Sequence, residues 1–235
     1  MLINCVWEHN GNDSLIYADN CIGAYTRGKS REEALSKLNN EITSYHNWLG
    51  ADYDGALEAV IIQDKPSELQ ICDADSDVLF YSEELPLSIE DYKNLKALAL
   101  KSAADFLQLY EALPDKNISS LPARRSFYGD VPRTGFEMYE HTKNVNAYYF
   151  GEIGVEVDNE GSILQCRKRG FERLEAENGF LNKAAEEGSY GEKWSLRKLM
   201  RRFIWHDRIH AKAMYRMALK TFPDSEIPNI FKFII

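Results

Sequence analysis

The chain has 235 residues, 44% of them hydrophobic and 28% charged, the balance of an ordinary globular protein with material for a sizeable core. Its net charge of −9 argues against general nucleic-acid affinity, which rests on Lys and Arg. No apolar run reaches the ~18–20 residues that a membrane span needs.

The N-terminal stretch "MLINCVWEHNG" has neither a basic start nor an apolar run, so no secretory signal and a cytoplasmic location are expected. Two short β-rich runs, "LINCVWE" and "SLIYAD", flank "HNGND", whose Asn and Gly suit a turn, and "CIGAYTRG" reads as a third strand. "SREEALSKLNNEITSYHNWL" is expected to form one helix: Ser30 and Glu33 make a capping box, and Ala34, Leu38, Ile42 and Tyr45 form its apolar stripe. "ALEAVIIQD" follows as a buried strand. The order β-β-β-α-β predicts a helix on a small antiparallel sheet over residues 1–72. The segment "NCIGAYTRGKSREEALSKLNNEI" resembles the HicB-like antitoxin fold, in which a strand ends in a loop that caps a helix with this S-x-E-E-A-L pattern. The resemblance covers about the first third of the chain and implies a small binding module without catalytic residues.

Residues 73–87 read as an acidic linker. Asp73, Asp75, Asp77 and Glu84 fall at positions 1, 3, 5 and 12 of a calcium loop, but Val78 stands where the sharp turn requires Gly, so calcium is not expected. From residue 88 to residue 222 the pattern is helical, over 88–113, 134–153, 162–177 (weakened by Gly170) and 192–222, with a tail at 223–235. Four helices with no strand between them predict a four-helix bundle expected to fold on its own, making the chain an α+β protein of two domains.

Between Lys193 and Lys220 lie nine Lys/Arg and one acid, Asp207. They are expected to form a solvated helix face paired with acids such as Glu172 and Glu175, with Asp207 and Arg208 exposed. Cys5, Cys21, Cys72 and Cys166 stand singly and are expected to be reduced packing or surface residues.

On the last helix, inward positions run Leu196, Leu199, Phe203, His206, His210, Ala213, Met217; on the second they run Met138, His141, Val145, Tyr148. Residues four apart share one helix face, so His206 and His210 can reach a single ion, and His141 completes a three-nitrogen face if the two helices are neighbours. Imidazole suits Zn, Ni, Fe or Cu, and three protein ligands leave a position open, as catalytic sites require. The competing reading is a buried polar cluster without metal. Glu137 and Asn144, a turn either side of His141, are expected on the helix surface, and Tyr148, Trp205 and Phe203 are available to line a pocket.

On "YEHTKNVNAYYFGEIG" and "RRFIWHDRIHAKAMYRMA", residues 85–222 resemble the DinB-like metal-binding bundles, which include YfiT-like proteins and thiol-dependent S-transferases. The resemblance implies a divalent transition metal, Zn or Ni, on His141, His206 and His210, and often a homodimer. It further implies that the metal activates a small-molecule thiol for attack on an electrophile, in detoxification or stress response. The alternative is a non-catalytic regulatory protein whose HicB-like module recruits a partner.

Overall fold

The structure, a computed structural model, describes every residue except Asn12, Asp54, Ala74, Phe127 and Tyr128, and gives Cys72 by its backbone alone. Asn12 of the expected first turn, Ala74 of the expected linker and the Cys72 side chain therefore lie outside the described residues. Among the described residues the fold is mixed α+β, with a four-stranded sheet, six α-helices and two short antiparallel ladders, 125–126 with 129–130 and 186–187 with 193–194, in the helical half where no strand is expected.

Strands β1 (Leu2–His9), β2 (Ser14–Ala18) and β3 (Tyr25–Gly28) form an antiparallel meander. Helices α1 (Arg31–Ser36) and α2 (Leu38–Trp48) lead to β4 (Glu58–Pro66), and the sheet order is β3-β2-β1-β4. The sheet is not all antiparallel as expected: β4 runs parallel to β1. The helical crossover after β3 carries the chain back to the end of the sheet where β3 began, so the next strand runs in the same direction as β3 and β1. The single helix expected over 30–49 is interrupted at Lys37, which caps α1 and precedes α2. Ser30 Oγ accepts from Glu33 N at the start of α1, as the capping pattern predicts.

Both faces of β1–β3 are covered, whereas β4, expected to be a buried strand, leaves Val60 and Ile62 exposed. Ile3, Cys5, Ile16 and Ala18 join Ala34, Leu38 and Ile42 under α1 and α2. Val6, Leu15, Tyr17 and Tyr25 meet Ile71, Val78, Phe80 and Trp205 on the other side. The expected acidic linker is thus a packed segment: Val78 and Phe80 are buried, and so is Glu83, ion-paired with Arg201. Its acids converge on no cation site among the described residues.

Helices α3 (Ile89–Glu111), α4 (Gly135–Gly151), α5 (Ile163–Glu175) and α6 (Leu196–Thr221) follow, capped by Ser88, Thr134, Ser162 and Ser195. Each of α3 and α4 packs against both α5 and α6. α5 runs unbroken through Gly170, where a Cβ would overlap the Phe150 ring, so this glycine serves helix packing rather than a break.

α6 is buried on nearly every side because it lies between the bundle and the sheet module. Its Ile204 contacts Gly23, whose positive φ and lack of a Cβ allow the approach. Against expectation, Asp207 and Arg208 are fully buried. Asp207 accepts from Arg167 of α5 at 3.2 Å and from Ser102 of α3 at 2.5 Å. Arg208 donates to Glu41 of α2 at 2.6 Å, and Lys198 pairs with Glu192 at 2.9 Å. The expected partner Glu175 instead takes Lys96 and Tyr92 of α3. Where the helix is enclosed its charges cannot stay in water, so Asp207, Arg208, Lys198 and Arg201 take partners from neighbouring elements, while Arg216 and Lys220 remain exposed.

The C-terminal tail is packed too: Phe231 stacks on Trp48 of α2, and Ile227 and Phe233 are buried. The main hydrophobic cluster therefore includes residues from α1, α2, the bundle and the tail. Cys5, Cys21 and Cys166 are free, buried thiols. Among the described residues, no helix is long and apolar enough to cross a membrane.

Candidate metal centre

α4 and α6 are neighbours, and that brings His141 to His206 and His210. The three ring centroids are 4.5–5.1 Å apart. One ligand nitrogen from each ring lies within 4.8 Å of the other two. A tetrahedral ion with Zn–N bonds of ~2.0–2.1 Å sets its nitrogens about 3.3 Å apart, so the three histidines could hold an ion after small side-chain rotations. His206 is buried, His210 half-buried and His141 exposed, so the face opens on one side.

Desolvation disfavours the charged form of all three rings, and so favours the neutral form that can donate a lone pair. Desolvation lowers His141, and it lowers His206 well below the usual imidazole range, with the neighbouring His210 and His141 adding to the effect. Desolvation, then His141, pushes His210 down to about 3. His206 Nδ1 is also buried without a hydrogen-bond partner. A neutral three-imidazole face with an unpaired buried nitrogen fits a borderline transition metal such as Zn or Ni, and does not fit Mg or Ca, which take oxygen.

The face lines a cleft of about 1280 Å³ between the bundle and the sheet module. Tyr148 and Trp205 line it as expected, but Phe203 does not: it is buried in the bundle against Phe150, with the Arg167 guanidinium 3.6 Å from its ring centre. Glu137 caps α4, accepting from the backbone N–H groups of Arg133 (2.8 Å) and Thr134 (3.1 Å), which hold its carboxyl below the usual range. Asn144 is exposed, and its carbonyl accepts from Asn159. Both stand at the surface of α4, as the sequence predicts.

Arg202 is the residue of the cleft that the sequence reading does not single out. It sits one turn before His206, with its guanidinium 5.0 Å from the Trp205 ring, 5.4 Å from Tyr149 and 5.7 Å from Trp194. The signal that could have found it is the i, i+4 spacing to His206.

Compared with family models, curated proteins and solved structures, the chain matches none of them. The reading of the site therefore rests on its own residues.

Proposed function

We propose that the chain is a divalent-metal protein of the DinB-like kind carrying a HicB-like module at its N-terminus, and that it acts as a thiol-dependent S-transferase on small electrophiles. The observation that carries the reading is the convergence of three neutral histidines from two adjacent helices at the open side of a cleft. A divalent ion held there would lower the pKa of a thiol or water that it binds, so that the nucleophile exists at neutral pH.

The chain's own residues would supply the rest. The imidazoles have no proton to lose before they bind a metal. The half-buried position of His210 and the exposed one of His141 leave room for a small ligand, and Tyr148 and Trp205 offer it apolar surface. In the transfer, sulfur forms a bond to the electrophilic carbon, the leaving group departs with its bonding electrons, and the thiol proton passes to solvent. Among the described residues the free thiols Cys5, Cys21 and Cys166 are buried, with Cys5 and Cys21 pushed up to about 12 and about 11, so the reading takes its nucleophile from an added small thiol.

A second reading, a non-catalytic partner-binding protein, is favoured by β4. Among the described residues that strand pairs with β1 alone, and it leaves Val60 and Ile62 exposed at the sheet edge. One assay separates the two: zinc- or nickel-loaded protein is mixed with 2-mercaptoethanol or cysteine and 1-chloro-2,4-dinitrobenzene, and thioether formation is followed. The transferase reading expects a rate above the protein-free metal control, lost in His206→Ala. Stoichiometric metal without any such rate across a panel of thiols and electrophiles would favour the second.

A further inference from the structure

α6 and its neighbours bury or half-bury several cations, and nearly all have a carboxylate in contact. Arg201 has Glu83, Arg208 has Glu41, Lys198 has Glu192, and Arg167 of α5 has Asp207. Arg202 is the exception. Among the described residues no carboxylate lies within ion-pair distance of it, and Glu192 and Glu8 act on it only from further away. Its Nη1 donates to the Ser76 carbonyl at 2.8 Å and its guanidinium hydrogen-bonds the Tyr149 hydroxyl, while its Nε is buried with no acceptor.

The cage around Arg202 has the same imbalance. Trp194 Nε1 and Trp205 Nε1 are also buried N–H donors without acceptors, and both rings lie against the Arg202 guanidinium. Buried donors almost always have an acceptor, so these three leave hydrogen-bonding capacity unused beside one cation. A guanidinium stays charged at any physiological pH. The group that supplies both negative charge and several acceptor lone pairs is a small oxyanion.

We propose that Arg202 is the anion-recognition residue of this cleft, holding a carboxylate of the ligand whose other end reaches the three-histidine face. This rests on the S-transferase reading and narrows its substrate class to a small thiol that carries a carboxylate. Arg202 and His206 are four residues apart on α6, a rise of about 6 Å along one face. A carboxylate two or three carbons from sulfur spans that separation. Tyr149 lies between them, its ring centre 6.0 Å from that of His206, and both Arg202 and His206 line the cleft.

The test uses the full chain in two states. Chelator-treated protein is heated with propionate or with chloride at equal ionic strength; propionate should raise the melting temperature of wild type and have no effect on Arg202→Gln. Cobalt-loaded protein is then titrated with 3-mercaptopropionate and with 3-mercapto-1-propanol, which lacks the charge. The acid should bind about tenfold more tightly, the order of a charge-assisted hydrogen-bonded contact. That preference should disappear in Arg202→Gln and be partly kept in Arg202→Lys, at unchanged cobalt stoichiometry. If wild type shows neither a propionate effect nor a preference for the acid, or if both Arg202 variants keep them, the anion site is overturned. Propionate protection in a protein that binds no cobalt would keep the anion site and remove the metal reading instead. Should Arg202→Gln not fold, the wild-type preference and Arg202→Lys decide the matter.

Discussion

Arg208 of α6 and Glu41 of α2 meet at 2.6 Å with neither side chain exposed, and Lys212 reaches the second oxygen of the same carboxylate at 3.1 Å. This contact joins the bundle to the sheet module through a single acid. Glu41→Gln should lower stability by about 3–5 kcal/mol, because it leaves the buried Arg208 without its counter-charge. Arg208→Met in the Glu41→Gln background should recover part of the loss, since the charge that lacked a partner is gone. Urea denaturation of the wild type, the single variant and the double variant checks both statements. A double variant less stable than Glu41→Gln would show that Arg208 contributes chiefly through its packing on Tyr45, Trp48 and Phe233.

Gly170 tests a different interface. Alanine is the better helix former by ~1 kcal/mol, so on propensity alone Gly170→Ala should stabilise α5. A Cβ there overlaps the Phe150 ring, which is fully buried among Phe171 and Phe203. Overpacking of this kind costs about 1–3 kcal/mol, so the net change is expected to be destabilising. A higher urea midpoint for Gly170→Ala would mean that Phe150 moves aside without cost.

These two sites mark what the sequence makes legible and what it hides. The four long helices are readable because each starts at a Ser or Thr cap, at 88, 134, 162 and 195, and follows one apolar period. The histidines are readable for the same reason, since a 3-4 spacing fixes which face they share. The surroundings of α6 are not readable. An amphipathic period identifies one buried face, and a helix enclosed from several directions buries its polar face as well, as Asp207 and Arg208 do. The acids of 73–87 mask the buried Val78 and Phe80 in the same way. Arg202 looks like one of nine cations until its partial burial, with no contacting carboxylate among the described residues, sets it apart from the exposed Lys193, Arg216 and Lys220. The direction of β4 follows from the crossover alone, and no residue within the strand announces it.

Metal-free protein should lose stability in mild acid. The unfolded chain protonates its histidines near pH 6.5, whereas the folded chain holds His206 and His141 lower and His210 at about 3. With folded pKa values below the unfolded ones, the unfolded state takes up protons first. The contribution of these rings is thus fully present above about pH 6.5 and is lost as pH falls toward 3. Glu8 and Asp207, whose carboxyls burial raises, act in the opposite direction. The comparison is therefore made against His206→Gln/His210→Gln, which keeps both acids. Between pH 7.5 and pH 5, in chelator, the urea midpoint of wild type should fall more than that of the double variant. Equal falls would mean that the rings charge in place.

His141 carries the remaining prediction, because it is the only member of the candidate centre that α4 supplies. His206 and His210 share a rigid helix and can meet an ion without any change in how helices pack. Adding His141 makes the ion a tie between α4 and α6, so metal binding and the stability of that interface become linked. About one Zn- or Ni-class ion per chain is expected, lost in His206→Ala or His210→Ala and bound much more weakly in His141→Ala. In wild type the melting temperature should drop when chelator is added. In His141→Ala it should start near the chelated wild-type value and hardly change, since the exposed His141 side chain contributes little to the metal-free fold. Elemental analysis and paired melts with and without chelator check this. The assignment fails if wild type and His141→Ala respond to chelator by the same amount, for then the α6 pair would be holding its ion with some group other than α4's histidine.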